Sequence, residues 1–411
     1  MRRILSILAA AAVCVASHGQ QAEQLAAILA LTGAGTEENL DEDLMAHYHA
    51  LGLHPLRINN ASMARLSSCG LFTPYQAASI VDYRATYGDI LSAAELGCVD
   101  GIEESLAAAL APFLDFSGDA TGPSARKLRA ESTIRTGLAL SKGEFKPSAT
   151  LKTDVEYMDR AEMFMAMRNG GTGVAASSLA LRSRSAELLL GDYNVRIGQG
   201  LLVWSGFSLA GFPSASAFSR HPTGISQSRS LSPMMRGVAG RKSFGHTTAM
   251  AFWNARGASG AGVNTVWRNG QCGLTALGSG AFSADLRVSV RRLDLFGEAA
   301  YDIAHSAAAA VAGVIWNPEY QTRLALLLRA YPGEYEALQA SPVKAFSTPR
   351  DEYGAAVGAE WKGWNLTLDG AVRPVARAAQ VKMVLSGEID AGELVDFRLR
   401  GNMRWRPLDG G

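Results

Sequence analysis

From Arg126 to the end of the chain, apolar and polar side chains alternate in one segment after another. In 151–157 (LKTDVEY) and 364–369 (WNLTLD), for example, polar side chains stand between apolar or Thr neighbours. A period of two is typical of a β-strand that turns one face away from water. Many of these segments approach the roughly 9–11 residues of a tilted membrane-spanning strand. The pattern therefore predicts an antiparallel sheet of many strands, one of which is 179–190, where the alternation is weaker.

Aromatic residues beside tight turns favour one kind of sheet. Trp361 and Trp364 flank Lys362-Gly363, and Trp316 precedes another short turn. Membrane barrels carry aromatic girdles at the water interfaces. A soluble β-sandwich, the alternative, also alternates. Beyond the first 20 residues no apolar run reaches the ~18 residues of a spanning helix, which excludes a helical-bundle membrane protein. We expect a transmembrane β-barrel over 126–411.

The two ends of the chain carry further signals. Residues 1–20 begin with Arg2 and Arg3, continue with an apolar run from Ile4 to Ala16, and end in small residues, as a secretory signal peptide does. The last residues, from Pro407 to Gly411, have turn composition where a closing strand is expected. This pattern predicts a barrel that is truncated at the C-terminus.

Charge divides the remaining chain in two. Residues 21–118 contain 13 acidic and 3 basic residues, whereas 119–411 contain 25 acidic and 34 basic residues. The apolar spacing before the division is helical, for instance at Leu40, Leu44, Tyr48 and Leu51. We therefore predict an α+β chain with a small all-α region at 21–116, a linker at 117–125 and the barrel after it.

Residues of about 54–116 resemble the tandem helix-hairpin-helix module of ComEA-like competence proteins. The resemblance lies in Ile58-Asn-Asn-Ala-Ser62, in Ile80-Val-Asp-Tyr-Arg84, in Val99-Asp-Gly-Ile102 and in the closing Leu110-Ala-Pro-Phe-Leu114. In that family, backbone N–H groups of the hairpins hold a DNA phosphate. The resemblance marks these positions as candidate nucleic-acid or anion-binding residues: Asn60, Gly70, Thr73, Gly101 and Ile102.

The hairpins depart from the family pattern. Leu71-Phe72-Thr73 replaces the first Gly-x-Gly, and Glu103 occupies the place of the second hairpin's other glycine. Binding to DNA depends largely on Lys and Arg, yet residues 54–118 carry seven acidic residues and three arginines. A scaffold or protein-docking role is therefore favoured over DNA binding.

The segment 189–207 (LLGDYNVRIGQGLLVWSGF) is similar to a segment of bacterial outer-membrane barrel proteins that carry an N-terminal helix-hairpin-helix module. That resemblance implies an outer-membrane location, contact with lipid and lipopolysaccharide, and a module in the periplasm. It implies no activity, and it leaves the oligomeric state open.

Residues 193–284 contain eight basic and no acidic residues. We expect 208–244 to form a long cationic loop, because it is rich in Ser, Pro and Gly. Such a loop could hold lipopolysaccharide phosphates, another polyanion or the acidic module; the alternative is a lumen-lining loop without a ligand. Its candidate anion-binding residues are Arg220, Arg229, Arg236, Arg241 and Lys242.

No catalytic motif, metal-ligand spacing or cofactor motif is complete in this sequence, so we expect a non-enzymatic protein without a cofactor. Cys69 and Cys98 stand at equivalent edges of the two hairpins and could form a disulfide. The leading hypothesis is an acidic module that docks on the basic barrel as a plug. The alternative is DNA binding or DNA uptake through the module and the cationic loop.

Overall fold

The computed structural model describes residues 55–406 except for short gaps, together with scattered positions between Gln24 and Gly52. The gaps are 70, 73, 118–127, 142–143, 158–159, 169–173, 184, 206–211, 213, 221, 231–234, 268, 291, 320–321, 337–338, 362–363 and 391–395. The signal-peptide, linker and C-terminal predictions concern residues that lie outside this description or reach beyond it.

The N-terminal part is a small helical module, as predicted. Its helices are α1 (Met63–Ser68), α2 (Pro74–Tyr87), α3 (Ala93–Leu96) and α4 (Glu104–Leu110), followed by a 3₁₀ turn at Ala111–Phe113. The described positions between Gln24 and Leu51 are helical as well. Ser62 and Ser92 cap α1 and α3, each accepting a hydrogen bond from a backbone N–H at 3.2 Å. The side chains of Ile58, Leu66, Ile80, Leu96 and Phe113 form the centre of one apolar core.

A short parallel pair of strands closes the module. Strand β1 (Leu56–Arg57) precedes the first helix, and β2 (Leu114–Asp115) follows the last. Leu56 pairs with Leu114, and the N–H of Ile58 donates to the carbonyl of Asp115 at 3.1 Å. The chain therefore enters and leaves the module at one place.

The C-terminal part is one antiparallel sheet in the order of a barrel, which confirms the predicted fold class. Described registers join each consecutive pair from β3 to β8 and from β9 to β20, and β7 also pairs with β9. No register is described between β20 and β3, the last and first strands of this sheet. The strands are β3 (Leu128–Ser141), β4 (Glu144–Tyr157), β5 (Ala161–Arg168), β6 (Val174–Arg182), β7 (Ala186–Arg196), β8 (Gly224–Gln227), β9 (Met235–Phe244), β10 (Thr247–Asn254), β11 (Ala258–Trp267), β12 (Gly270–Leu277), β13 (Ala281–Val290), β14 (Leu293–Asp302), β15 (Ala307–Glu319), β16 (Thr322–Tyr331), β17 (Glu352–Trp361), β18 (Trp364–Arg373), β19 (Ala378–Asp390) and β20 (Asp396–Trp405).

The strand alternation separates two faces. Leu274, Leu286, Leu326 and Val357 point outward and are 41–66 % exposed, whereas their neighbours along each strand are mostly buried. An apolar outer band over a more polar inner face is the arrangement of a membrane barrel. None of the described helices has the length and apolar character needed to cross a membrane.

The two ends of the barrel differ. At one end, which we call the short-turn end, most connections have two or three residues, as at 245–246 and 362–363. The opposite end carries the two longest connections, and their described residues pack inside the barrel. We call residues 197–230 the first inner segment and 332–351 the second inner segment. Leu201, Phe212 and Phe218 of the first pack with Phe296 and Leu327 of the wall.

Two sequence predictions within this region were wrong in detail. Residues 179–190, expected as one strand, contain the turn between β6 and β7. The predicted loop 208–244 ends with the ten-residue strand β9, so Arg236, Arg241 and Lys242 lie on the barrel wall. The basic and small residues of β9 conceal a strand whose Val238 faces outward and whose Ala239 is buried.

Candidate functional site: the module and the barrel interior

The module lies against the short-turn end of the barrel. Arg65 of α1 approaches Glu162 at the start of β5 at 3.3 Å and Glu156 near the end of β4 at 3.6 Å. At another point of the same end, Glu103 contacts Arg323 at 3.0 Å and the amide of Asn317 at 3.1 Å. The ion pairs of this interface thus have both polarities.

Helix α2 makes the third contact. The N–H of Tyr75 donates to Gln271 Oε1 at 3.2 Å, and Tyr75 and Ala78 pack with Val266 of β11. Gln271 and Val266 are buried inner-face residues beside the turn between β11 and β12. The contacts at Glu162, Gln271 and Arg323 therefore lie on three separate strand pairs of one barrel end.

The hairpin residues have structural roles in this arrangement. Gly101 adopts a φ of +81°, and a Cβ there would collide with the ring of Tyr75. Its carbonyl accepts a hydrogen bond from Gln76 at 2.9 Å, and Ile102 is buried in the core. Asn60 is exposed, while Gly70 and Thr73 lie outside the described residues. Glu103, which occupies the place of the second hairpin's other glycine in the resemblance, contacts the barrel.

Asn59, which is not among the candidate residues predicted from the sequence, holds the two halves of the module together. Its side-chain amide donates to the carbonyls of Ile90 at 2.9 Å and Phe116 at 3.2 Å, and its oxygen accepts from the N–H of Ile90 at 2.9 Å. The only signal for it in the sequence was its place in the Ile58-Asn-Asn motif.

The stretch without acidic residues is not isolated from acidic residues in space. Arg229 contacts Glu162, Arg236 forms a bidentate pair with Asp192 at 2.6 and 2.9 Å, and Arg241 lies 2.8 Å from Glu187. These carboxylates belong to β5 and β7, which precede the stretch in the sequence. A count of charges along the chain does not predict such ion pairs, because strand pairing brings residues together that are distant in the sequence.

A charge network results on the inner wall near the module. Glu162 and Glu187 both pair with Arg182, at 2.7 and 2.8 Å, and all three side chains are almost fully buried. Burial opposes the charge of Arg229, but the carboxylates of Glu162 and Asp154 overcome it and raise the pKa of Arg229. The network joins Arg65 of the module to the wall and to the first inner segment.

Arg220 and Lys242 have different surroundings. The guanidinium of Arg220 lies 4.5 Å from the centre of the Trp204 ring, and the backbone N–H of Arg220 donates to Gln199 Oε1 at 3.0 Å. Burial lowers the pKa of Arg220 to about 10, so its guanidinium remains charged at neutral pH. Lys242 lies over the ring of Phe244 at 5.2 Å.

The two inner segments are joined to each other. Tyr335 donates from its hydroxyl to the carbonyl of Leu201 at 2.8 Å, and the N–H of Trp204 donates to the carbonyl of Gln339 at 2.9 Å. Glu352 fixes the end of the second inner segment by accepting from Arg329 at 2.6 Å and from the N–H of Ala345 at 2.8 Å. The two inner segments thus occupy the barrel interior from the end opposite the short-turn end.

Cys69 and Cys98 are both free thiols in the structure. Cys69 is buried and its Sγ lies 3.0 Å from the carbonyl of Leu66, whereas Cys98 is exposed. Burial raises the pKa of the Cys69 thiol. The disulfide considered from the sequence is therefore not formed here.

Comparison with known proteins identifies the module. A family model described as a helix-hairpin-helix motif matches residues 54–115. A search of curated proteins finds no match. The chain therefore combines a helix-hairpin-helix module with a β-barrel of the outer-membrane type.

Solved structures that resemble the chain include a porin and other proteins of Pseudomonas. A BenF-like porin from Pseudomonas fluorescens Pf-5 has 9% identity and a TM-score of 0.37, over 69% of this chain and 94% of that one. OpdK from Pseudomonas aeruginosa, solved with vanillate, has 13% identity and a TM-score of 0.41, over 68% and 93% of the two chains. The outer-membrane protein OprD from the same organism has 10% identity and a TM-score of 0.37, over 68% and 86%. The assignment of the barrel rests on the strand order of this chain itself.

Proposed function

We propose that this chain is a non-enzymatic outer-membrane protein whose helix-hairpin-helix module docks on the periplasmic end of the barrel as a plug. The observation that carries the proposal is the set of three separate contacts at the short-turn end, made by Arg65, Tyr75 and Glu103. Outer-membrane barrels keep their short turns in the periplasm, which supports a periplasmic place for the module.

The form of the docking differs from a simple attraction between an acidic module and a basic loop. Arg229 and Arg241 already pair with carboxylates of the wall, and the module contributes a cation, Arg65, to that same network. Glu103 supplies the opposite polarity at Arg323. Mixed pairs fix orientation better than one uniform field does, because a rotated module would bring like charges together.

Ion conductance in planar bilayers tests the plug. Glu103→Lys places a cation beside Arg323, and Arg65→Glu places an anion beside Glu162 and Glu156, so the double variant should loosen the module and conduct several-fold more than the wild type. Glu104→Lys is the matched control, since it makes the same charge change one residue further along on an exposed side chain.

The control should conduct as the wild type does. Equal conductance of the wild type and the double variant would contradict the plug, provided that both fold to the same strand content. Accessibility of Cys98 to a thiol reagent gives a reference in each variant, because this thiol is exposed on the module.

No observation on the described residues favours DNA uptake. The hairpin residue that replaces a phosphate-binding glycine, Glu103, contacts the barrel, and three of the five arginines and lysines proposed for anion binding pair with carboxylates. We therefore advance no second function.

A further inference from the structure

The inner wall between β11 and β14 carries a row of oxygen atoms that the proposed plug does not use. In the strand register Asn264 pairs with Gly273, Gly273 with Asp285, and Asp285 with Glu298, so these positions lie side by side on one row. Asn264, Asp285 and Glu298 are each only 3–8 % exposed. Two carboxylates thus stand directly opposite each other on neighbouring strands, where like charges destabilise a sheet.

One oxygen of each side chain has no hydrogen-bond partner: Asn264 Oδ1, Asp285 Oδ1 and Glu298 Oε1. Buried polar atoms are nearly always satisfied in folded proteins, so three such atoms in one row need an explanation. All three are acceptors, and the group that satisfies them together must carry positive charge or donate several protons.

The carboxyl group of Glu298 is held in place by the backbone. Its Oε2 accepts hydrogen bonds from the N–H groups of Gln199 at 2.7 Å and Leu201 at 3.0 Å. Gly198 makes this turn possible, because its φ is +58° and a Cβ there would lie 2.7 Å from the carboxylate. The turn uses one oxygen and leaves Oε1 for another partner.

Space for a ligand exists above the row. Gly273 lacks a side chain where a Cβ would collide with Asp285 Oδ1, so the carboxylate lies over the glycine. A small cavity of about 20 Å³, enough for one water molecule, is lined by Asn264, Gly273, Thr275 and Asp285. Arg196 lines it too, but its Nε is engaged with the carbonyl of Ser205 at 3.1 Å. The hydroxyl of Ser283, which likewise has no hydrogen-bond partner, lies beside Glu298.

The geometry points to a binding site for a hard divalent cation of the calcium class on this wall. Ca²⁺ takes six to eight oxygen ligands, among them carboxylates, amide carbonyls and waters. Asp285 and Glu298 would supply two negative charges, Asn264 and Thr275 neutral oxygens, and water the remaining positions. The cation would remove the repulsion between the two carboxylates and tie the first inner segment to the wall through the turn at Gly198.

Thermal unfolding of the full-length protein in detergent tests the site. We expect the midpoint of the wild type to rise saturably as Ca²⁺ is added to a chelator-treated sample, up to about 1 mM, the affinity range of extracellular calcium modules. Asp285→Asn should abolish the rise, and Asn264→Ala should reduce the apparent affinity about tenfold, the order found when metal-supporting groups are removed.

Asp369→Asn is the control, because Asp369 is a buried wall carboxylate that pairs with Arg329 at 2.8 Å, away from the site. It should lower stability yet keep the Ca²⁺ response. In chelator, Asp285→Asn should unfold at or above the wild-type midpoint, since it relieves the repulsion from Glu298. Equal Ca²⁺ responses in the wild type and Asp285→Asn would overturn the site, as would the absence of heat of binding in a calorimetric titration of the folded wild type.

Discussion

At the scale of single residues, the adjacent Asn59 and Asn60 have different roles in the module. Asn59 bridges the carbonyls of Ile90 and Phe116 and the N–H of Ile90, whereas Asn60 is exposed. The sequence places both in one motif and gives no means of choosing between them. The choice follows from packing, because only Asn59 faces the second half of the module.

Asn59→Ala should destabilise the module by about 1–3 kcal/mol, since it leaves buried backbone groups of Ile90 without their partner. Asn60→Ala should stay within about 0.5 kcal/mol, as most exposed substitutions do. Denaturant unfolding of the full chain, followed by protease cleavage within the module, measures both. Equal effects of the two substitutions would contradict the assigned role of Asn59.

Asp115 gives the module a dependence on pH. Burial alone would raise its pKa, but the hydroxyl and N–H of Ser117 and the guanidinium of Arg57 lower it below the usual value. The carboxylate therefore stabilises the folded module above the unfolded-state pKa of about 4. This stabilisation is lost as the pH falls through the lower folded-state pKa.

Protease resistance of the module, measured between neutral pH and about pH 3, checks this dependence, because that range spans the usual carboxyl pKa. In Asp115→Asn, protease resistance should fall less as the pH is lowered, because the contribution of the Asp115 carboxylate is missing at every pH. Superimposable profiles for the two proteins would assign the acid sensitivity to other carboxylates.

At the scale of elements, the outward face of each strand is adapted to lipid. Leu274 lies within β12 and is 66 % exposed, while Val375 lies in the turn after β18 and is 77 % exposed. In water the two positions would tolerate a charge equally well. Lipid distinguishes them, because a cation on the lipid face costs free energy according to its depth.

Leu274→Arg should therefore cost about 2–4 kcal/mol in bilayers, the range for a cation near the midplane. Val375→Arg should have little effect. Folding into lipid vesicles over a denaturant series measures the difference. Near-equal values would favour the soluble β-sandwich that the alternation alone left open.

The strands also show how much of the fold could be predicted from the sequence. The period-two pattern predicted the barrel because each strand has one face toward lipid and the other toward the interior. It failed at 179–190, where alternation continues across the turn into β7, and at β9, whose small and basic residues hide its period. The arginines of the 193–284 stretch were identified correctly as charged, but their partners on β5 and β7 depend on strand pairing.

At the scale of the whole molecule, the lumen is occupied from both ends. The module lies at the short-turn end, and the two inner segments, joined by Tyr335 and Leu201, lie at the other. Two obstructions in series behave like two resistances in series, of which the larger dominates the current. Opening either one alone therefore reveals only part of the effect of opening both.

Tyr335→Phe removes the hydrogen bond to Leu201 and should raise conductance slightly by itself. Combined with Arg65→Glu and Glu103→Lys, it should raise conductance by more than the sum of the separate increases. Tyr301→Phe, which removes a hydroxyl from an outward-facing ring, is the control in the same bilayer recordings. Additive increases would contradict two obstructions in series.

The parallel pair of strands β1 and β2 determines how the module responds to force. Both ends of the module meet at two residue pairs, Leu56 with Leu114 and Arg57 with Asp115. A pull on either flanking stretch of chain loads these few backbone bonds before it reaches the helical core. The module can thus transmit a pulling force as one folded unit, because both connecting segments of the chain leave it at the same strand pair.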